Sequence, residues 1–182
     1  MPTLYLVRHG RAAAAWDADA DPGLDALGHE QARVAAQVLA PHGPMELVTS
    51  PMARTRETAL PFQDAWRVEP RVESRISEIP SPAIALAARG AWLREIASRS
   101  WSELDESLWG WRNGVVAALS ATTRDAVFVT HFMVINAVLA EITGDTRVVS
   151  FRPDYCSVTM LRNEGGRLTL LQRGVEASTR VL

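Results

Sequence analysis

The sequence predicts an α/β fold, a three-layer α/β/α sandwich with a mostly parallel central sheet. Short apolar runs, typical of buried strands, alternate with longer segments of helical periodicity over the first 144 residues, and this alternation favours parallel strands joined by helices. The turn sequence NEGG at 163–166 indicates that the last two strands form a hairpin. Because the 182 residues contain no internal repeat and no linker, we expect one domain over 1–182.

The predicted strands are short and mostly apolar. In chain order they lie at 3–7, 45–51, 66–71, 125–131, 156–162 and 167–173, with 66–71 as an edge or short strand. The clearest is "DAVFVTH" at 125–131, an apolar run that ends in a histidine. Runs of this length fit strands that are buried within a sheet.

The predicted helices carry apolar residues at helical spacing. They lie at 24–41, 52–65, 82–119 and 132–144. Pro61 is expected to end or kink the second helix, because proline removes a backbone hydrogen bond. Candidate breaks in the third helical region are its glycines, Gly90, Gly110 and Gly114. We therefore describe 80–122 as a mainly helical segment.

Composition and charge exclude several classes of protein. The formal net charge of −2 provides no overall attraction for nucleic acid or for an anionic membrane, and no segment has the roughly 18 consecutive apolar residues of a membrane span. The single cysteine, Cys156, cannot form an internal disulfide, and we expect a packed thiol there. We expect a cytoplasmic protein without nucleic-acid or membrane partners; the sequence leaves its oligomeric state open.

Two histidines follow predicted strands directly. The first strand ends in Val7-Arg8-His9 and the late strand ends in His131, while Arg54 begins the helix after the second strand. In open α/β sheets the ligand crevice lies beyond the carboxyl ends of the parallel strands. If these strands are neighbours, both imidazoles and at least one guanidinium reach the same edge of the sheet.

Four motifs in this order resemble the histidine phosphatase superfamily, the phosphoglycerate-mutase-like proteins. They are "LVRHGRA" (6–12), "SPMARTRETA" (50–59), "SRISEIP" (74–80) and "VFVTHFMVIN" (127–136). The segment "GLDALGHEQA" at 23–32 also resembles the start of the first helix in that family. The resemblance covers nearly the whole chain and implies a phosphoglycerate-mutase-like fold.

The resemblance also implies a reaction and a role for each site residue. His9 would accept the phosphoryl group, Arg8, Arg54 and His131 would bind its oxygens, and Glu78 would protonate the leaving oxygen. The implied activity is metal-independent hydrolysis of small-molecule phosphomonoesters through phosphohistidine, with no cofactor. The residue types suit this chemistry, because guanidiniums stabilise phosphoryl charge and keep a neighbouring imidazole neutral.

The choice of Glu78 among nearby carboxylates rests on the family pattern. Glu69, Glu73 and Glu78 all lie in one region, and their spacing alone does not choose between them. The "ISEI" sequence matches the hydrophobic-x-Glu pattern of the family and favours Glu78.

The chain departs from the family pattern in two places. After Gly10 it reads Arg11 and then four alanines, where many relatives carry polar phosphate ligands. Arg11 is a candidate for binding a second anionic group of the substrate, with a surface arginine as the alternative. After His131 the chain has Phe132, where most relatives have glycine.

The segment 80–122 corresponds to a region that often shapes the substrate entrance in this family. Packing and substrate contact are both open as roles for its four tryptophans, Trp92, Trp101, Trp109 and Trp111. Two other functions also stay open for the whole chain. One is phosphoryl transfer of the phosphoglycerate-mutase type, and the other is a catalytically idle module that binds phospho-ligands, suggested by the altered loop after Gly10.

Overall fold

A computed structural model describes residues 1–178. Six strands and five α-helices follow in the order β1 (Thr3–Arg8), α1 (Ala26–Leu39), β2 (Glu46–Thr49), α2 (Ala53–Trp66), β3 (Arg71–Val72), α3 (Arg89–Ala97), α4 (Glu106–Ser120), β4 (Ala126–Thr130), α5 (Phe132–Thr143), β5 (Val158–Glu164) and β6 (Arg167–Gln172). Single 3₁₀ turns lie at Ala40–His42, Ser74–Ile76, Leu86–Ala88 and Trp101–Glu103. None of the helices in this part of the chain is long and apolar enough to cross a membrane.

The six strands form one sheet in the order β3-β2-β4-β1-β5-β6. The first four run parallel to one another, and β5 and β6 join as an antiparallel hairpin beside β1. Helices α1 and α2 cover one face of the sheet, and α4 and α5 cover the other. The predicted α/β fold with a mostly parallel central sheet is therefore confirmed.

Each face of the sheet has its own apolar core. Side chains alternate along β1, so Leu4 and Leu6 pack with α4 and α5 on one face, whereas Val7 packs with α1 and α2 on the other. Residues 132–140 of α5 are all buried, because side chains from α3 and α4 cover the side of α5 that does not face the sheet. Residues 80–122 thus pack over the helix that follows His131.

Pro61 neither ends nor interrupts α2, which continues to Trp66. An internal proline costs about 3 kcal/mol. Burial of Phe62 and Trp66 in the core of this face contributes about 1.5–3 kcal/mol each, so the longer helix is favoured. The predicted strand at 66–71 is correspondingly wrong for most of its length, and only Arg71–Val72 pairs with β2.

The glycines of the helical segment do not break it where the sequence suggested. Gly90 lies in the first turn of α3, and both Gly110 and Gly114 lie inside α4. The interruption falls at residues 98–105 instead, where Asp105 caps α4 by accepting hydrogen bonds from the backbone of Ser107 and Leu108. The cap and the buried face of α4 outweigh the cost of about 1 kcal/mol per helical glycine.

Candidate active site

The structure brings His9 and His131 together at the carboxyl edge of the sheet. β1 and β4 are neighbours in register, with Arg8 opposite Thr130, and the His9 amide donates to the Thr130 carbonyl at 2.9 Å. The two imidazole centroids lie 5.4 Å apart with the rings edge to face. Both side chains are buried, so the strand pairing itself positions the two imidazoles.

The hydrogen bonds of His9 define which ring nitrogen is free to react. Its Nδ1 lies 2.7 Å from the Gly10 carbonyl oxygen, and since a carbonyl only accepts, Nδ1 carries the proton. Arg54 Nε donates to Nε2 at 3.3 Å. Burial, together with the charges of Arg54 and Arg8, holds the pKa of His9 well below its usual value. His9 is therefore neutral at pH 7, with a lone pair on Nε2.

Two guanidiniums present donors that have no partner among residues 1–178. Arg8 donates from Nη1 to the Pro153 carbonyl at 2.9 Å, but its buried Nε is unpaired. Arg54 Nη1 is also buried and without a hydrogen bond, with the Asp21 carboxylate 4.0 Å away. Leaving such a donor unsatisfied costs about 1–3 kcal/mol. A bound oxyanion would recover that cost.

Hydrogen bonds at both ring nitrogens orient His131. Its Nδ1 lies 3.2 Å from Arg54 Nη2 and must accept there, so Nε2 carries the proton and donates to Ser50 Oγ at 2.8 Å. Burial, and after it the charge of Arg54, holds the pKa of His131 well below its usual value. Nδ1 becomes a donor only when the ring is protonated, a state that the charge of a phosphoryl dianion would favour.

Glu78 lines a cavity whose walls also include Arg8, His9 and Arg54. Its Oε1 accepts hydrogen bonds from the amides of Ile79 at 3.0 Å and Met133 at 3.2 Å, while Oε2 bonds to none of the described residues. Burial raises the pKa of the Glu78 carboxyl, although the nearby charges of Arg54 and Arg8 act in the opposite direction. Burial thus favours the protonated carboxyl, and Oε2 is the oxygen without a hydrogen-bond partner among the described residues.

The other two carboxylates of this region lie outside the cavity. Glu73 pairs with Arg75 at 2.8 Å, and hydrogen bonds from that arginine lower its pKa to about 2. Glu69 accepts a hydrogen bond from Gln63 at 2.9 Å. Of the three candidates, only Glu78 lines the cavity together with His9.

A cavity of ≈ 230 Å³ opens beside these groups. Its walls come from the strand ends, the loop after Gly10, α3 and the turn before β5; they are Arg8, His9, Ala12, Ala14, Ala15, Trp16, Asp17, Pro22, Arg54, Glu78, Gly90, Leu93, Arg94, Phe132 and Tyr155. Nowhere in residues 1–178 do three His, Cys, Asp or Glu side chains group in a way that could hold a metal ion.

The four tryptophans of the helical segment do not line this cavity. Trp101 and Trp109 stack edge to face at 5.8 Å, and the Arg112 guanidinium lies 4.7 Å from each ring. The indole of Trp111 donates to the Ser77 carbonyl at 3.1 Å. The contacts of these three are packing contacts, and Trp92 packs against Trp16 of the cavity wall with ring centroids 6.2 Å apart.

The loop after Gly10 turns Arg11 away from the cavity. Arg11 Nε donates to Asp25 at 2.6 Å, and half of the Arg11 side chain is exposed. Gly10 and Gly28 cross so closely here that a Cβ on Gly28 would lie 2.1 Å from the Arg11 carbonyl oxygen. The close crossing favours this path of the loop. Arg94 of α3, and not Arg11, lines the cavity together with Arg8 and Arg54.

The sequence did not single out three residues of the cavity wall, Trp16, Arg94 and Tyr155. Tyr155 precedes β5 by three residues, in the turn that contains Cys156, whose φ is 55°. Cys156 itself is partly buried and burial raises the pKa of its thiol to about 12, which agrees with an unreactive packed thiol. A conformation of this kind leaves no periodic pattern that sequence reasoning could detect.

Comparison with known proteins agrees with this geometry. The family model described as histidine phosphatase superfamily (branch 1) matches residues 4–175. A curated relative, the probable phosphoglycerate mutase GpmB of Serratia proteamaculans, is 36% identical over 83 residues, which cover 43% of this chain and 39% of that protein. The matched region thus spans about two fifths of that relative.

Solved structures share the fold at low sequence identity. A mycobacterial glucosyl-3-phosphoglycerate phosphatase in complex with inorganic phosphate has a TM-score of 0.75 at 23% identity, covering 99% of this chain and 100% of that one. The phosphoserine phosphatase of Entamoeba histolytica in complex with 3-phosphoglyceric acid has a TM-score of 0.72 at 17% identity, covering 98% of both chains. With the family match extending over nearly all of its length, this chain belongs to the histidine phosphatase superfamily, branch 1.

Proposed function

We propose that this protein is a metal-independent phosphatase that hydrolyses small phosphomonoesters through a phosphohistidine on His9. The observation that carries the proposal is the state of His9. Its Nδ1 proton bonds to the Gly10 carbonyl, so Nε2 is unprotonated and accepts only the long 3.3 Å hydrogen bond from Arg54 Nε. The two buried guanidiniums of the site also have unpaired N–H groups. Phosphoryl transfer requires a nucleophile and a set of donors that bind the phosphoryl oxygens. Here the donors are Arg8 and Arg54, which we call the phosphoryl clamp.

In the first step the phosphoryl group occupies the space between Arg8, Arg54 and the histidines. Nε2 of His9 attacks phosphorus, and the bond from phosphorus to the ester oxygen breaks. The proton on Glu78 Oε2 passes to the leaving oxygen, so that a neutral alcohol departs. The charge that spreads over the phosphoryl oxygens is stabilised by the guanidinium donors, with His131 as a further donor once it is protonated.

In the second step water hydrolyses the phosphohistidine. Glu78, now ionised, takes a proton from the water as its oxygen attacks phosphorus. The bond from phosphorus to Nε2 breaks, and His9 returns to the neutral state that its surroundings favour. Inorganic phosphate leaves, and Glu78 is again protonated.

The names of related proteins favour this class of reaction and one alternative. Structures of a similar fold include phosphatases in complex with inorganic phosphate and with 3-phosphoglyceric acid. The 36% identity to a probable phosphoglycerate mutase favours, as a second candidate, return of the phosphoryl group to a hydroxyl of the same substrate. Both reactions use the same first step and differ in whether water or a substrate hydroxyl accepts the phosphoryl group.

We further propose that residues 1–182 act as one histidine-phosphatase domain in which 80–122 shapes the substrate entrance. Gly90, Leu93 and Arg94 of this segment line the cavity, and its Trp92 packs against Trp16 of the loop after Gly10, with ring centroids 6.2 Å apart. The leaving group of the substrate would lie against the wall that these two segments form together.

Turnover in the presence of a chelator tests the proposal. Full-length protein treated with EDTA should release phosphate from p-nitrophenyl phosphate, and a panel of phosphomonoesters should then identify the preferred leaving group. Conversion of 3-phosphoglycerate to its 2-phospho isomer without phosphate release would instead support the mutase. Phosphate binding without turnover of any ester would contradict both reactions. It would indicate a catalytically idle module that binds phospho-ligands.

Replacement of Glu78 by glutamine should affect substrates unequally. An alkoxide needs a proton more than p-nitrophenolate does, so we expect a much larger loss of kcat for alkyl phosphates than for p-nitrophenyl phosphate. Because the first step needs the protonated carboxyl and burial raises its pKa, wild-type kcat/KM should fall as the pH rises through that pKa. In Glu78→Gln this alkaline limb should disappear.

The matched control for this experiment is Glu69→Gln. Glu69 lies outside the cavity and bonds to Gln63, so its replacement should change neither the leaving-group dependence nor the pH profile. A leaving-group effect in Glu69→Gln, with none in Glu78→Gln, would show that the wrong carboxylate has been assigned.

A further inference from the structure

The guanidinium of Arg8 lies over two aromatic rings. Its Cζ is 4.0 Å from the ring centroid of Tyr155 and 5.2 Å from that of Phe132. Arg8 is only 4% exposed, and the attraction between a cation and an aromatic face is strongest where water is excluded. The two rings therefore stabilise one orientation of a guanidinium that has little contact with solvent.

The segment 153–157 also holds the backbone of Arg8. The Cys156 amide donates to the Arg8 carbonyl at 3.0 Å, and the Arg8 amide donates to the Ser157 carbonyl at 3.2 Å. The Pro153 carbonyl accepts from Arg8 Nη1. One short turn thus binds the main chain and the side chain of the same arginine, and it places the Tyr155 ring against the guanidinium.

The two arginines of the site differ in how they are held. Arg54 bonds to both histidines through Nε and Nη2. The Arg8 side chain donates one hydrogen bond of good geometry, from Nη1 to the Pro153 carbonyl. Burial lowers the pKa of Arg8, and the nearby Tyr155 hydroxyl acts in the opposite direction. A guanidinium held by a single hydrogen bond can rotate about that bond. The directions in which the other N–H groups of Arg8 point therefore depend on the aromatic rings packed against it.

We propose that Tyr155 is a positioning residue of the phosphoryl clamp: its ring, with the more distant ring of Phe132, orients Arg8 so that its free N–H groups meet the phosphoryl oxygens. The inference rests on the proposed function of the site. It gains weight from the loop after Gly10, where Ala12 to Ala15 offer no side-chain donor. With those donors missing, the precision of the clamp depends more heavily on Arg8.

Two replacements of Tyr155 separate the ring from its hydroxyl. Tyr155→Phe keeps the aromatic face, whereas Tyr155→Leu keeps an apolar side chain without it. We expect the leucine variant to bind vanadate and inorganic phosphate about tenfold more weakly in titration calorimetry, and the phenylalanine variant to stay within about twofold of wild type.

Kinetics with two classes of leaving group provide the decisive comparison. Because Arg8 acts on the phosphoryl group, Tyr155→Leu should lower kcat/KM by the same factor for p-nitrophenyl phosphate and for an alkyl phosphate, and Tyr155→Phe should restore both. A loss of kcat/KM that depends on the leaving group, with vanadate binding unchanged, would overturn the inference. It would show that Tyr155 contacts the leaving group instead.

The outcomes distinguish this inference from the proposed function. Wild-type protein that hydrolyses esters while Tyr155→Leu binds vanadate normally contradicts the inference alone. Wild-type protein that binds vanadate but hydrolyses nothing contradicts the proposed function, and the binding comparison still decides the role of Tyr155. If thermal unfolding shows that Tyr155→Leu is not folded, Phe132→Leu replaces it: about threefold weaker vanadate binding supports the inference, and unchanged binding overturns it.

Discussion

His9→Ala is expected to abolish turnover, with a loss in kcat on the order of 10⁵-fold. The reason is that both proposed steps pass through a bond between phosphorus and Nε2. The other imidazole of the site does not replace it, because His131 Nε2 carries the proton that it donates to Ser50, and its Nδ1 is assigned to bind the phosphoryl oxygens. Arg8 and Arg54 remain, so binding of inorganic phosphate should persist.

The covalent intermediate provides a direct measurement. Rapid quenching of wild-type protein with labelled substrate should trap an adduct that is stable to base and labile to acid, and peptide mapping should place it on His9. The matched control is His42→Ala, since His42 is an exposed histidine in a 3₁₀ turn that does not line the cavity. An adduct on another residue, or normal turnover by His9→Ala, would disprove the assignment.

Arg54→Ala is expected to lower kcat/KM by about 10²–10³-fold, the usual cost of losing a preorganised donor to transition-state charge. Its side chain is also the hydrogen-bond link between the two imidazoles, through Nε to His9 and Nη2 to His131. Its removal should therefore both weaken vanadate inhibition and loosen the alignment of the nucleophile.

The same variant should change the pH profile in a defined direction. The charge of Arg54 helps to hold the pKa of His9 below its usual value, so its loss should raise that pKa. Because His9 must be neutral to attack, the acid limb of kcat/KM should then move to higher pH. Arg54→Lys keeps the charge but not the planar fork, and it should preserve the acid limb while still losing activity.

Arg56→Ala is the matched control for Arg54. Arg56 lies two residues further along α2 and is exposed, so its removal should leave vanadate inhibition and the pH profile unchanged. Inhibition of Arg54→Ala by vanadate at the wild-type concentration would show that this guanidinium does not bind the phosphoryl group.

Local patterns in the sequence were sufficient to predict the fold and the positions of the histidines. Apolar runs of strand length depend on the residues of the run itself, and β1 and β4 were predicted to within one or two residues at each end. Once those strands pair in parallel, the residues that follow them must share an edge of the sheet. For this reason His9 and His131 could be placed near each other before any contact was known.

Contacts between distant segments determined the remaining features. The interactions that stabilise these features join residues far apart in the sequence, so no short stretch of sequence reveals them. Helix α2 continues past Pro61 since Phe62 and Trp66 are buried against strands far away in the chain. Arg11 donates a hydrogen bond to the Asp25 carboxylate and does not line the cavity. The same is true of Tyr155, whose ring reaches Arg8 across 147 positions of sequence only because β5 pairs with β1. The sequence alone thus determined the α/β architecture and its two histidines, while tertiary packing determined which carboxylate, cations and aromatic rings surround them.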